Sequence, residues 1–359
     1  MDKIMNNLYI EDIRNIAEDI SLDFNKLKNK TILITGATGL ICSFLIDTLM
    51  YRNEKFDDNI KIYAISRNEN KIKERFKNYK IEKISNNNSA KLIYINQDVC
   101  EPYNFNIDFD YIIHGASNTH PLMYSADPIG TITTNIIGLN NLLQYSINHK
   151  PKRILCMSSV EIYGENNTDI NKFNEKDCGY IDCNTLRAGY PESKRLCESL
   201  CQAYISKYNF DIVIGRLSRI YGPTMQMDDS KAIAQFIKNS VKGEDIVLKS
   251  KGEQYYSYCY MADAVDAILK IIFDGKNGEA YNIADENSDI KLKDIAKILA
   301  DFNNKEVIYE LPNEKEKKGY STATKAILDI EKLKNIGWKA QYNIKDGLER
   351  TIKIIKNSK

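Results

Sequence analysis

The chain has 359 residues, 43% of them hydrophobic, with 50 Lys+Arg against 49 Asp+Glu for a net charge of +1. That length allows one large domain or two around a substantial core, and the balanced charge argues against a nucleic-acid or membrane-surface partner. The start, Met1-Asp2-Lys3-Ile4, has no apolar signal region and no run is long enough to span a bilayer, so a cytoplasmic location is expected. Eight cysteines are scattered without a Cys-x-x-Cys, and the histidines are His114, His120 and His149. Reduced thiols and no metal site follow.

In chain order, residues 1–30 read as a helical lead-in, with Ile10, Ile13, Ile16, Ile20, Phe24 and Leu27 near helical spacing. The apolar strand Thr31–Thr35 runs into a glycine turn, and Leu40 to Met50 continues as a helix. Strand Ile60–Ile65, a charged helix from Lys71 to Lys83, a loop at 86–88 and strands Leu92–Ile95 and Tyr111–His114 follow. Helix Ile132–His149, strand Arg153–Met157, helix Ser193–Tyr208 and strand Ile212–Arg216 complete the alternation. Such alternation predicts an α/β fold, a doubly wound parallel sheet of Rossmann type with helices on both faces. Beyond Pro223 the pattern loosens into helices Gln235–Val241, Ala264–Phe273 and Leu292–Phe302 with short strands such as Ile246–Leu248. The expected division is a lead-in (1–30), a dinucleotide-binding domain (31–222) and a smaller mixed α/β lobe (223–359) interleaved with the sheet.

Three motifs carry chemistry. The first is the turn Thr35-Gly36-Ala37-Thr38-Gly39-Leu40-Ile41-Cys42. Gly36 permits the bend, Gly39 lets backbone approach a pyrophosphate, and the following helix start around Thr38, Leu40 and Ile41 offers N–H donors. Cys42 takes the place of a third glycine; an ordinary strand–helix connection is the competing reading. After the second strand stand Ser66 and Arg67, with no acid before Glu69. A hydroxyl and a guanidinium suit a 2′-phosphate, so NADP(H) is favoured over NAD(H), unless Arg67 is a solvated residue or stacks on adenine without selecting. Asp98, followed by Val99, suits an adenine amino group or, equally, caps a turn.

The second motif is Tyr190-x-x-x-Lys194, and the third is the strand end Ser158-Ser159 upstream of it. An ordinary phenol titrates at about 10, too high to carry protons at neutral pH. An ammonium one helical turn away favours the phenolate, and Ser159 would hydrogen-bond the same substrate oxygen. Together the motifs point to nicotinamide-dependent redox chemistry on a hydroxyl or carbonyl.

With these residues the chain resembles an extended short-chain dehydrogenase/reductase of the NAD-dependent epimerase/dehydratase family, which modifies nucleotide sugars. Further matches are His114-Gly115-Ala116-Ser117, Thr134-Asn135, Arg216-Leu217-Ser218-Arg219-Ile220-Tyr221-Gly222-Pro223, Tyr260-Met261-Ala262-Asp263 and Gly337-Trp338. The resemblance implies a six- or seven-stranded Rossmann domain and a C-terminal lobe holding a nucleotide diphosphate. It implies Ser159, Tyr190 and Lys194 as catalytic residues. Ala116, Ser117 and Asn135 join the cofactor candidates, and Asn118, Arg219 and Tyr256 are the substrate candidates. It also implies a homodimer built through Ile132–His149 and Ser193–Tyr208.

This sequence departs from the family pattern in three places. Where dehydratases carry Asp-Glu after the catalytic Ser/Thr, it has Val160-Glu161; Glu161 is either an acid/base or a carboxylate ordering the loop before Tyr163-Gly164. Arg219 replaces an expected Asn, and Tyr256 stands where a pyrophosphate-binding Arg is common. These departures favour NADPH-dependent reduction of a nucleotide-linked keto-sugar or ketose, for example to a nucleotide-linked alditol for surface polysaccharide. The alternative is a redox-neutral epimerase, 4,6-dehydratase or decarboxylase that retains its NAD(P). A non-catalytic NADP-binding regulator would have no need of the intact Ser159, Tyr190 and Lys194.

Overall fold

The computed structural model describes residues 6–85, 87–119, 121–165, 170–310 and 323–357. Residues 1–4, Asn86 and His120, named above, lie outside these. Among the described residues no helix is long and apolar enough to cross a membrane.

Helix α1 (Asn7–Ala17) is capped by the Asn6 side chain and ends sooner than the apolar spacing predicts. Ile20 is fully exposed, and Phe24 and Leu27 are buried from a separate 3₁₀ turn. Strand β1 (Thr31–Thr35), helix α2 (Leu40–Phe56) and strand β2 (Lys61–Ser66) form the first crossover unit. The charged segment predicted as one helix to Lys83 divides instead. Helix α3 (Glu69–Arg75) stops at Phe76, whose buried ring anchors the turn, and Ile81–Lys83 becomes edge strand β3 against β4 (Leu92–Asn96). Strand β5 (Tyr111–His114), the short helix α4 (Pro121–Ala126), helix α5 (Pro128–His149), strand β6 (Arg153–Ser159), helix α6 (Gly189–Tyr208) and strand β7 (Ile212–Leu217) follow. Helix α5 begins at a proline behind the Asp127 cap, four residues before the predicted start.

Eight strands form one sheet, one more than the upper expectation, in the order Ala280–Ile283, β7, β6, β5, β1, β2, β4, β3, and every pair is parallel. Ala280–Ile283 comes from beyond residue 223, so the C-terminal part of the chain supplies one edge of the sheet. The strands are apolar on both faces because helices cover both, with Leu33, Ile34, Ile62 and Leu155 fully buried. The order of strand addition reverses between β1 and β5, where Thr35 pairs in parallel with His114. Sheets of this kind open a ligand crevice at such a switch point, beyond the carboxyl ends of the strands.

The remaining elements build a smaller layer beside that crevice. Strand β8 (Arg219–Tyr221) pairs with Tyr255–Tyr260, which also pairs with Asp289–Lys291 and Lys325–Ala326. The N-terminal helix is stitched to this layer: buried Asp12 accepts from Tyr260 Oη at 2.6 Å and from Arg350 Nε at 2.8 Å.

Candidate active site

The glycine turn lies at the β1/β5 switch point. Gly36 has φ +69°, and a Cβ there would sit 2.7 Å from the Gly115 backbone. Only glycine fits both constraints. Gly39 opens α2 without a side-chain cap and without an acid in the first turn. The leading N–H groups, around Leu40 and Ile41, are therefore offered to an anion. Two residues not anticipated from sequence brace the turn from the far side: Gln226 Nε2 donates to Thr38 O at 2.6 Å and Thr224 Oγ1 to Leu40 O at 2.7 Å. Cys42 is buried, with burial pushing its thiol up to about 12. Its sulfur fills the space that a Cβ on Gly115 would need, 2.4 Å away. The missing third glycine is thus balanced by a glycine on the neighbouring strand.

At the end of β2, Ser66 is buried and turns its hydroxyl to Asn68 O. Arg67 is exposed; its Nη2 reaches Asn118 Oδ1 at 3.4 Å and its Nη1 lies 3.9 Å from Asp98. Asp98 accepts from Cys100 N at 2.9 Å, the turn-cap geometry. Val99 is buried against Gly138 of α5. Asn118 is buried, and its Nδ2 has no partner among the described residues. Arg67 and Asp98 suit an adenosine and its ribose substituent, a cation at the rim and a half-exposed carboxylate, while the buried Asn118 amide beside them keeps donors to spare.

Ser159 ends β6, while Tyr190 and Lys194 lie one turn apart at the start of α6, all three mostly buried. Ser159 Oγ accepts from Glu161 N at 3.2 Å, which begins a 3₁₀ turn over Val160–Tyr163. Lys194 Nζ donates to Met157 O at 2.9 Å, so the ammonium is tied to the strand that carries Ser159. No acid pairs with Lys194 among the described residues. Beneath it, His114 shares a 3.0 Å hydrogen bond with Thr35 Oγ1. Burial, then the Lys194 charge, lowers the imidazole to about 3, so it stays neutral.

Ala116 N donates to Thr35 Oγ1, and Ser117 Oγ donates to Asn135 Oδ1 at 2.7 Å. Asn135, almost fully buried, donates in turn to Ser193 Oγ at 2.8 Å, and Ser193 to Tyr190 O. The Ser117 and Asn135 side chains are thus engaged with the protein and join the β5 loop to the Tyr190 helix. Four residues beyond Lys194, Glu198 accepts from Ser158 Oγ and from Arg216 at 2.7 Å, linking α6 to β6 and β7. Among the described residues no cluster of three His, Cys, Asp or Glu side chains has metal-site geometry.

Glu161 is held by Arg187, whose Nη2 lies 2.6 Å from its Oε2. The Arg187 guanidinium sits 4.9 Å from the ring centre of Tyr124, and that ring stacks on Tyr190 at 4.8 Å and 20°. Burial first, then the neighbouring Tyr190 and Glu161, holds the Tyr124 phenol well above its ordinary value. Neither Arg187 nor Tyr124 was anticipated from the sequence; the signal for Arg187 was its place three residues before Tyr190. On the other layer, Arg219 lies flat on Tyr256 at 3.3 Å, with Nη1 buried and unpartnered among the described residues. Tyr256 is buried and spends its hydroxyl on Ala323 O.

Known proteins resemble the chain in sequence and in fold. UDP-glucuronic acid decarboxylase 5 of Arabidopsis thaliana is 28% identical over 89% of this chain and 87% of its own length. UDP-glucuronic acid decarboxylase 1 of Xenopus tropicalis is 30% identical over 73% of this chain and 59% of its own. The crystal structure of a UDP-glucuronic acid 4-epimerase from Bacillus cereus, in complex with UDP-glucuronic acid and NAD, has the same fold. It superposes with TM-score 0.75 at 21% identity, covering 91% of this chain and 99% of that one. Residues 32–284 match the NAD dependent epimerase/dehydratase family, and the chain belongs to that family.

Proposed function

We propose that the protein converts a nucleotide-linked sugar in a redox-neutral reaction, with a UDP-hexuronate as the first substrate to test. One observation carries this reading: a second ionisable group, Glu161, is clamped by Arg187 beside the Tyr190 ring stack. Simple carbonyl reduction needs one proton carrier, as does epimerisation by hydride return at the oxidised carbon, whereas decarboxylation or elimination needs a further proton delivered to or taken from the oxidised sugar. The decarboxylase names of the relatives support the same choice over the net reduction favoured by sequence alone.

In this reading Tyr190 carries the proton of the reacting hydroxyl, Lys194 stabilises its phenolate, and Ser159 orients the sugar oxygen. Gly36, Thr38, Gly39, Leu40 and Ile41 receive the pyrophosphate of the dinucleotide; Ser66, Arg67, Asp98, Val99 and Ala116 line its adenosine side. The nicotinamide, when bound, supplies the site for hydride exchange. Asn118, Arg219 and Tyr256 form the substrate side, and the segment after residue 222 is mainly the substrate lobe. Exposed Ile129 and Ile137 on α5 and Leu196 on α6 support a homodimer across those helices.

A second reading, NADPH-dependent net reduction, is favoured by Arg67 just after β2, with no carboxylate closer than 3.9 Å among the described residues. Incubation with UDP-glucuronate and other nucleotide-linked sugars, with product analysis and absorbance at 340 nm, separates the two. Product without net change at 340 nm supports the redox-neutral reading; stoichiometric NADPH consumption overturns it.

A further inference from the structure

We propose that Arg187 is a positioning residue that sets two reactive side chains at once: Glu161 through their ion pair, and Tyr190 through the intervening ring of Tyr124. Arg187 follows Thr185 in a 3₁₀ turn that leads directly into α6, so its backbone is fixed by the same helix start that places Tyr190. Its side chain is mostly buried, and its charge meets a carboxylate 26 residues away in sequence at 2.6 Å. The guanidinium carbon lies 4.9 Å from the centre of the Tyr124 ring, and that ring stacks on Tyr190. The unit is a cation over two stacked rings, with the carboxylate paired to the cation.

Three features argue against a purely structural role. An arginine built in for stability has its donors satisfied, yet Arg187 Nε is buried without a partner among the described residues. Tyr124 comes from α4, a helix of only 6 residues, and its own phenol is held neutral, so it contributes a surface and not a proton. Stacked rings at this separation resist sliding and tilting, which confines Tyr190 to the plane in which its hydroxyl meets the sugar oxygen. A displacement of about 1 Å at a reacting group is enough to cost on the order of a hundredfold in rate.

The proposal rests on Tyr190 as the proton carrier, so the test has one arm that needs no substrate. The protein is labelled with 3-fluorotyrosine, and the Tyr190 resonance is assigned by its loss in Tyr190→Phe. In Arg187→Gln and Arg187→Lys the Tyr190 fluorine signal should move or broaden while signals of tyrosines remote from the stack stay in place. Tyr124→Phe, which keeps the ring, should leave it nearly unshifted. With a turned-over substrate, kcat should fall about a hundredfold in Arg187→Gln, with the cofactor Kd unchanged. An unmoved Tyr190 signal in both Arg187 variants overturns the proposal. So does a wild-type kcat in Arg187→Gln in an enzyme that Tyr190→Phe inactivates. If Tyr190→Phe retains full turnover, the proton-carrier reading fails instead. Should the Gln variant not fold, the Lys variant decides, because it keeps the charge and loses the planar face.

Discussion

Arg219 offers a quantitative test of the substrate side. Among the described residues the side chain is not paired with an acid; it lies over the Tyr256 ring at 3.3 Å and keeps Nη1 buried and unpartnered. The stack stabilises by roughly 0.5–2 kcal/mol, and an unsatisfied buried donor costs roughly 1–3 kcal/mol. Arg219→Ala removes both, so the two terms nearly cancel in the free protein and the melting temperature should shift by only a few degrees. In the complex, a diphosphate oxygen that takes up the free donor makes a charge-assisted bond of about 1.5–3 kcal/mol. Its loss is a ten- to hundredfold weakening by that arithmetic. Calorimetric titration of UDP, GDP, CDP and dTDP identifies the preferred nucleoside diphosphate. Arg219→Ala should weaken that Kd, and the substrate KM, by this factor while leaving the NAD(P) Kd unchanged. A variant that melts many degrees lower yet binds the nucleotide like wild type would show that Arg219 only joins the strands of the second layer.

Three further outcomes are expected. Tyr190→Phe should lower kcat by about two to four orders of magnitude with cofactor affinity nearly intact; retention of a tenth of the activity would count against Tyr190 as the acid. Arg67→Asp should shift cofactor preference from NADP(H) toward NAD(H), and equal wild-type affinities for the two by calorimetry would remove the premise. His114 gives a pH signature. Because the folded imidazole titrates near 3 and the unfolded one near about 6.5, its contribution is fully present above pH ~6.5 and is lost as pH falls toward 3. The loss amounts to about 2 kcal/mol by pH ~5, so His114→Asn should show a flatter stability profile over that interval, and an identical slope in urea unfolding would refute the assignment.

The parts of this molecule legible in the sequence are those whose signal is local. Strands β1, β2 and β4 are apolar on both faces because both are covered, and such runs stand out. The Tyr190/Lys194 pair is readable because four residues bring side chains to one face of a helix. Strand β3 was hidden: Ile81-Glu82-Lys83 is a short, half-exposed edge whose only ladder is to β4, and its charges read as the tail of helix α3. The lead-in helix was overextended for a related reason, since the apolar spacing runs on through Ile20 although that side chain faces solvent. Glu161 was visible as a candidate, but its partner Arg187 and the Tyr124 ring come from separate segments, and only folding brings them together. The same holds for Gln226 and Thr224, which reach the glycine turn from about 190 residues further along the chain.

The distribution of tethers suggests which substitutions alter rate and which alter choice of substrate. Tyr190, Lys194 and Glu198 recur every four residues on α6, and the last two are fastened to the end of β6, through Met157 O and Ser158 Oγ. Ser193, on the same helix, is fastened through Asn135 to the β5 loop. These bonds join helices and strands of the parallel sheet layer and the loop after β5, so the hydroxyl-activating geometry is a property of the scaffold and is indifferent to the sugar. Of the candidate substrate-side groups, Asn118 Nδ2 and Arg219 Nη1 are buried donors without a partner among the described residues, and both stand outside α6 and outside the eight-stranded sheet. A buried donor is costly to leave unpaired, so these are the places where a ligand has most to add. Changes along α6 and β6, and at Arg187 behind Glu161 and Tyr190, should therefore depress kcat for every substrate alike, whereas changes at Asn118 and Arg219 should reorder kcat/KM among nucleotide sugars.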